Sequence, residues 1–385
     1  MPKQKDYDIG IIGDLALVDF NTAKSLAELG VKVVVFRKKS ASAQEIVDDF
    51  YQEKHLGFEI YNYSSPMDFF KKACACHALF SFTGAVLGPL KTIYPLSLLP
   101  AFPPVVNIAT GSDMLEFVAQ KSIRAFLFRL HLRLSAMNWI VDYPHSLKNA
   151  ARFKIPRVYL MPFPAFRLPE ERFDLPEQDG TINFFHPSHL DWQGTDNRHE
   201  RYSSKGNDRF IRAFIRAVKN GLNAKCTLLY RGADKDLAKK MIQESGVKDS
   251  FILKDALSRD ELFEEFAHCH VVVDQFDVGG LGGIAIEAMA AGRPVMMYVN
   301  ENCSRLQYGG DTPPVINCWS EDEIYNCLID CADASFIKEK SEQSYSWVHR
   351  QHRTEVVYDK ILFYIYLLTG KKFKDYGWKK NAYKN

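Results

Sequence analysis

Two short apolar runs open the chain, Ile9–Ile12 and Val31–Phe36, with a segment of helical length between them. The first, carrying Ile9, Ile11 and Ile12, suits a strand buried on both faces, as in a parallel sheet. The helix expected over 20–29 stops at Gly30, which accepts the left-handed cap conformation at little cost. Strand, helix and strand in succession make a βαβ unit. The alternation continues, with strands predicted over 59–63, 78–82, 104–108 and 138–142. Residues 84–103, rich in proline and leucine, predict a loop with a short helix. The stretch SIRAFLFRLHLRL predicts a long helix, and IPRVYLMPFP closes this half.

A polar stretch with two prolines, 166–180, has the profile of a linker. A second series then starts with strand TINFFHP and helix 206–220, followed by strand KCTLLYRG and helix 234–245. Strand SFILKD, helix 258–268, strand HVVVDQF, a glycine loop, helix 284–291 and strand PVMMY complete it. A helix over 320–332 and a long helical stretch over 341–368 follow. The pattern predicts an α/β fold of two doubly wound Rossmann-like domains facing a cleft. They divide as 1–168 and 169–345, with 346–385 a crossover helix, marked at its start by Trp347 and Val348, and a basic-aromatic tail. Ligands of such sheets bind beyond the carboxyl ends of the strands.

Composition narrows the function. A chain of 385 residues exceeds the usual span of one core. Lys+Arg 49 against Asp+Glu 47 leaves a net charge of +2, which argues against a dedicated nucleic-acid binder. The eight cysteines are scattered and none has C-x-x-C spacing, so neither a zinc ribbon nor a disulfide framework is expected. No apolar stretch has the length of a bilayer span, and MPKQKDYDIGIIG enters a strand with no signal-peptide apolar region. The expectation is a reduced, cytoplasmic protein.

Candidate chemistry centres on GGLGGIAIEAMAAGRPVMMY, residues 279–298. Gly279, Gly280, Gly282 and Gly283 precede a helix starting near Ile284, and glycines there let backbone approach a ligand. The helix N-terminus offers unsatisfied N–H groups and a positive dipole end to a phosphate. Glu287, one turn further on, can accept hydrogen bonds from a pair of ribose hydroxyls or simply complement the dipole. Arg201 and Lys205, in HERYSSKGND, place two cations in a loop just before a helix, where a solvated charged loop is the plain alternative to a binding role. His186, Ser188 and His189 end one strand and Arg231 ends the next, each a candidate ligand contact or a side chain satisfied by backbone.

In the first half, Asp113 of NIATGSDM sits in a small-residue loop at a strand end and, with Ser112, can cap a helix. Gly13 and Asp14 occupy a comparable loop, and G-I-I-G-D is not the G-x-G-x-x-G fingerprint of a dehydrogenase. Arg124, Arg129 and Arg133 share a helix with Ile123, Phe126, Leu127, Leu130 and Leu134. With the lysine-rich, aromatic tail, this suits an anionic membrane face, or else a core helix with one solvated face.

AIEAMAAGRPVMMY, preceded by DQFDVGGLGG, resembles the nucleotide-binding signature of GT-B glycosyltransferases of family 4, E-G-F-G-L-P-x-x-E-A-M-A-x-G-x-P-V. SSKGNDRFIRAF is similar to that family's K-G-x-x-x-x-I-x-A-F element. The resemblance covers residues 180–345 and is confined to architecture and a few short pieces before 165. It implies a nucleoside-diphosphate-sugar donor and a saccharide or lipid-linked saccharide acceptor, transfer with retention, and a place in cell-surface polysaccharide or glycan synthesis. It implies ribose binding by Glu287, diphosphate binding by Arg201, Lys205 and the loop through Ile284, and an acceptor-side role for Asp113. Neither a cofactor nor a metal for the diphosphate is expected, nor a nucleic-acid partner, and the enzyme would work in the cytoplasm or at the inner membrane face. The first of the family's two glutamates falls at Gly279, where Asp277, Asp274 or loop amides would substitute. A non-hydrolysing nucleotide-sugar epimerase and a non-catalytic sugar-nucleotide binder are the alternatives.

Overall fold

A computed structural model describes residues 5–13, 18–38, 57–83, 85, 99–109, 111–162, 168–169, 172–177, 180–193 and 204–369. The chain divides into two compact units, one of residues 1–140, 150–165 and 354–385, the other of 141–149 and 166–353.

In the first unit seven strands form a parallel sheet: β1 Tyr7–Ile12, β2 Val33–Lys38, β3 Glu59–Tyr63, β4 Cys76–Phe82, β5 Val105–Ala109, β6 Met137–Ile140 and β7 Val158–Leu160. Their order is β3-β2-β1-β4-β5-β6-β7. In register, Ile11 faces Val35 on one side and Phe80 on the other, so the apolar run of β1 is buried on both faces as its composition requires. The helix Thr354–Thr369 packs into this unit, where Val357, Tyr358, Ile361 and Leu362 join Ile9, Phe80 and Trp139 in one core.

The second unit holds six parallel strands: β8 Ile182–His186, β9 Ala224–Leu229, β10 Phe251–Lys254, β11 Val271–Val273, β12 Val295–Met297 and β13 Ile316–Asn317. Their order is β10-β9-β8-β11-β12-β13. One face is sealed by Phe184, Phe210, Phe214 and Phe276, largely from β8 and the helix Asn207–Lys219. Phe185, Phe266, Ile286, Met289 and Trp347 seal the other.

Four features depart from the sequence pattern. The long helical stretch is two helices, Ala334–Gln351 and Thr354–Thr369, broken at His352 and Arg353. Trp347 and Val348 therefore belong to the core of the second unit, and the chain returns to the first only at residue 354, not 346. Residues 172–177 are strapped down, with Phe173 N bonded to Ala291 O at 3.2 Å and the guanidinium of the buried Arg293 donating to Asp174 O. Finally, Val141–Asn149 belong to the second unit although they follow a strand of the first, and the helix Pro144–Arg152 is not among the predicted elements. Its proline at the first helical position is the missed signal. Most of 84–103 and all of the 370–385 tail lie outside the described residues.

Replacing Ile361 by Ala should destabilise the first unit by about 2–5 kcal/mol, through the cavity left among buried apolar side chains. Leu367→Ala on the same helix, where the side chain is 60% exposed, should stay within about 0.5 kcal/mol of wild type. Urea unfolding of both variants checks whether the return helix is an integral core element.

Candidate functional site

From β8 the chain runs outward through β9 and β10, then returns to the other side of β8 at β11. The carboxyl ends of β8 and β11 thus flank the point where strand order reverses, the place where doubly wound sheets bind ligands. Ser188 lies just beyond β8 and Asp274 just beyond β11, and the Ser188 hydroxyl donates to the Asp274 carboxylate.

Beyond Asp274 comes the glycine loop. Its carbonyls are pinned: Gly279 O accepts from Asn300 N at 3.0 Å, Gly280 O from Gln275 Nε2 at 2.7 Å, and Leu281 O from the Tyr143 hydroxyl at 3.2 Å. Gly279 has φ +79°, a region costly for any residue with a Cβ. At Gly280 a Cβ would lie 2.5 Å from Tyr143 Cδ1 and 2.8 Å from Asp142 Oδ1. Glycine is therefore demanded here by a close approach to 142–143, the segment that joins this unit from the first half of the sequence. Asp142 is itself buried, accepts from the Ser304 hydroxyl at 2.9 Å, and has its pKa pushed up to about 6 by burial.

The helix Gly283–Ala290 begins with Gly282 at its N-cap, where no side chain caps the first turn. Its leading N–H groups have no intrahelical partner and lie at the positive dipole end, open to an anion. A Cβ at Gly282 would stand 3.3 Å from Asp274 Oδ2, which places that carboxylate beside the helix start. Glu287, one turn along, is 4% exposed, and Arg259 Nη2 donates to its Oε1 at 2.6 Å. Burial raises the Glu287 pKa and the Arg259 charge opposes that rise. Arg259 is a site residue that the sequence reading misses; Ser258-x-x-Glu261, a capping box, is the available sign that it opens a helix.

Cations gather at the end of β8. Arg231 donates from Nε and Nη2 to Pro187 O at 3.2 and 2.8 Å, and burial lowers its pKa. Nearby His189 is held below its usual range by burial and then by the charges of Arg231 and Lys205, with Asp191 opposing. Lys205 is fixed by its backbone, N to Asp191 O at 2.7 Å and O to Phe276 N at 2.7 Å. Both cationic charges are felt at His189, so an anion bound there would meet favourable charge.

Other candidates take different roles. His186 is fully buried, bonded through Nε2 to Asn207 Nδ2 at 2.9 Å, with burial lowering its pKa to about 4. It anchors the start of the helix Asn207–Lys219 and is not exposed to a ligand. Asp277 is engaged by the Arg209 guanidinium and by the Ser204 hydroxyl at 2.7 Å. Asp274 is the acid nearest the Gly282 Cβ position.

In the first unit, Asp113 Oδ1 accepts from Gly111 N at 3.0 Å and Met114 N at 2.8 Å, a capping role for the short helix Ser112–Leu115. Gly13, with φ +114°, passes Phe82 O at a distance no Cβ would allow. Arg201 and Asp14 lie outside the described residues. Among the described residues no group of three or more His, Cys, Asp or Glu could hold a metal.

Residues 199–306 match the family described as glycosyl transferases group 1. Sucrose-phosphate synthase (tll1590) from Thermosynechococcus elongatus superposes with a TM-score of 0.65 at 14% identity, covering 95% of this chain and 100% of that one. WaaG, a glycosyltransferase involved in lipopolysaccharide biosynthesis, gives 0.55 at 13% identity, covering 94% and 100%. A point mutant of TarM from S. aureus, in complex with Fondaparinux, alpha-GlcNAc-glycerol and UDP, gives 0.55 at 13% identity over 77% of this chain. The chain spans only 56% of TarM's length. No curated protein matches the sequence. The match lies within the second unit, and the two-sheet architecture is the GT-B fold.

Gly280→Ala should lower stability by about 1–3 kcal/mol by forcing Tyr143 and Asp142 aside. Gly111→Ala, where a Cβ meets nothing within 4 Å, should have little effect. Equal unfolding midpoints for the two variants in urea would contradict the close approach.

Proposed function

We propose that this chain transfers a sugar from a nucleoside-diphosphate donor to a saccharide or lipid-linked saccharide, with retention of anomeric configuration, in cell-surface polysaccharide or glycan synthesis. The observation that carries this is one strand-end cluster: a buried carboxylate, Glu287, follows an uncapped helix start within a glycine loop, with Lys205 and Arg231 on the neighbouring strand side.

The chemistry follows from charge. Breaking the bond from the anomeric carbon to the donor phosphate oxygen builds negative charge on the leaving diphosphate. Fixed cations and helix-start amides stabilise that growth without having to reorganise. Glu287 accepts from ribose hydroxyls and sets the register that places the diphosphate over the loop. Asp274, tied to Ser188 beside Gly282, stands where a carboxylate can meet a donor-sugar hydroxyl. Arg201 is assigned to the same diphosphate through the resemblance alone.

Turnover distinguishes a transferase from a binder. The full chain, given UDP-, GDP- and ADP-sugars with and without oligosaccharide acceptors, should release one nucleoside diphosphate in an acceptor-dependent way. Lys205→Ala should weaken binding of that diphosphate about 10–100-fold, the value of one charge-assisted contact. Tight binding without release would favour the non-catalytic alternative, and acceptor-independent conversion of the sugar would favour the epimerase.

Contact with a membrane face is part of the same proposal. The helix Ile123–Leu134 exposes Ile123 (80%), Phe126 (56%), Leu127 and Leu134, with Lys121 and Arg124 exposed beside them. Apolar side chains flanked by cations support shallow binding to anionic lipid. The chain should sediment with phosphatidylglycerol vesicles and much less with phosphatidylcholine vesicles, and Ile123→Ser/Phe126→Ser should abolish the difference. Failure of wild type to sediment with either would remove the membrane from the proposal.

A further inference from the structure

A carboxylate buried as deeply as Glu287 tends to take up a proton, and a neutral carboxyl is a poor acceptor for two hydroxyls. The group that opposes this is Arg259. It occupies the first position of the helix Arg259–His268, whose start is fixed by reciprocal bonds: Ser258 N to Glu261 Oε2 at 2.7 Å and Glu261 N to Ser258 Oγ at 3.3 Å. The guanidinium lies over the Phe263 ring at 5.5 Å, and Nη2 reaches Glu287 Oε1 at 2.6 Å. Its position is therefore set by a rigid helix end and an aromatic face, and its side chain remains 40% exposed.

The other charged groups on the surrounding elements are occupied elsewhere. Glu265 pairs with Lys254, and Glu261 serves the capping box. Asp260 and Glu264 are exposed on the outer face of the same helix. His349, on the helix Ala334–Gln351, bonds the Ala290 backbone. The helix that carries Glu287 holds no second charge.

We propose that Arg259 is a positioning residue for nucleotide binding, taking one oxygen of Glu287 and leaving the other to the ribose hydroxyls. This rests on the assignment of Glu287 to ribose. Arg259 acts through the carboxylate: bonded to one oxygen, it keeps the charge that makes the second oxygen a strong acceptor. Without the guanidinium, burial acts unopposed, and the carboxyl takes a proton at higher pH than in wild type. Nucleotide affinity in such a variant is therefore retained at alkaline pH and lost progressively as pH falls.

The test is calorimetric titration of the full chain with the nucleoside diphosphate it prefers, between pH 6 and 8.5. Wild type, Arg259→Gln, Arg259→Lys and Glu287→Gln are compared, each checked for a cooperative thermal transition. The readout is each variant's dissociation constant relative to wild type at the same pH, in which titration of the diphosphate itself cancels. Arg259→Gln should bind about tenfold more weakly at pH 6, the scale of one charged contact, and approach wild type at pH 8.5. Arg259→Lys should restore most of the wild-type profile, and Glu287→Gln should be weak at every pH. A constant ratio for Arg259→Gln across the range, or Lys no better than Gln, would overturn the positioning role while Glu287→Gln stayed weak. Wild-type affinity in Glu287→Gln would overturn the ribose assignment, and the role of Arg259 with it.

Discussion

The turn after β11 lies so close to residues 142–144 that side chains have no room. At Gly280 a Cβ would fall within 3 Å of both Tyr143 and Asp142, and at Gly279 the backbone is left-handed with Pro144 3.3 Å from the Cβ position. Three consecutive carbonyls, of Gly279, Gly280 and Leu281, are each bonded within the second unit. With its carbonyls held, the loop delivers the chain into the helix Gly283–Ala290 at a fixed angle, and the N–H groups of the first turn are the polar backbone left over. An anion site made of backbone needs this arrangement, because amides that must reorganise stabilise charge poorly.

Around that loop the carboxylates sort themselves by partner. Burying a carboxylate without one costs several kcal/mol, so each buried acid here is matched. Asp274 is matched by Ser188, Asp142 by Ser304, and Glu287 by Arg259; Asp277, less deeply buried, is matched by Arg209 and Ser204. The partners decide availability. Asp277 is paired with the Arg209 guanidinium, whereas the partner of Asp274, beside Gly282, is the neutral Ser188 hydroxyl. Arg259, itself 40% exposed, holds one oxygen of Glu287.

Much of this was legible in the sequence, because it depends on local pattern. Apolar runs bounded by Gly30 and by capping residues located the strands and helices of both sheets, and the glycines ahead of Glu287 located the loop. What the pattern could not carry was partnership at a distance. Nothing local pairs Arg259 with Glu287, or brings 141–149 from the first half of the chain under the loop. Asp274 and Asp277 are three residues apart in an irregular segment, so spacing could not tell which faces Gly282 and which faces Arg209. His186 ends its strand as a ligand residue would, yet fills a core position against Phe210 and Asn207. The two C-terminal helices read as one because the break at His352 carries no proline or glycine.

The central claim is that the second unit holds a nucleoside diphosphate with its phosphates on the start of the helix Gly283–Ala290 and its ribose on Glu287. A crystal structure of the full chain with the bound nucleotide tests this most directly. Diphosphate oxygens should lie within hydrogen-bonding distance of the first-turn amides, with Lys205 Nζ beside them and ribose hydroxyls on the Glu287 carboxylate with Arg259 still in place. A nucleotide bound elsewhere, with the glycine loop and Glu287 unchanged and untouched, would contradict it.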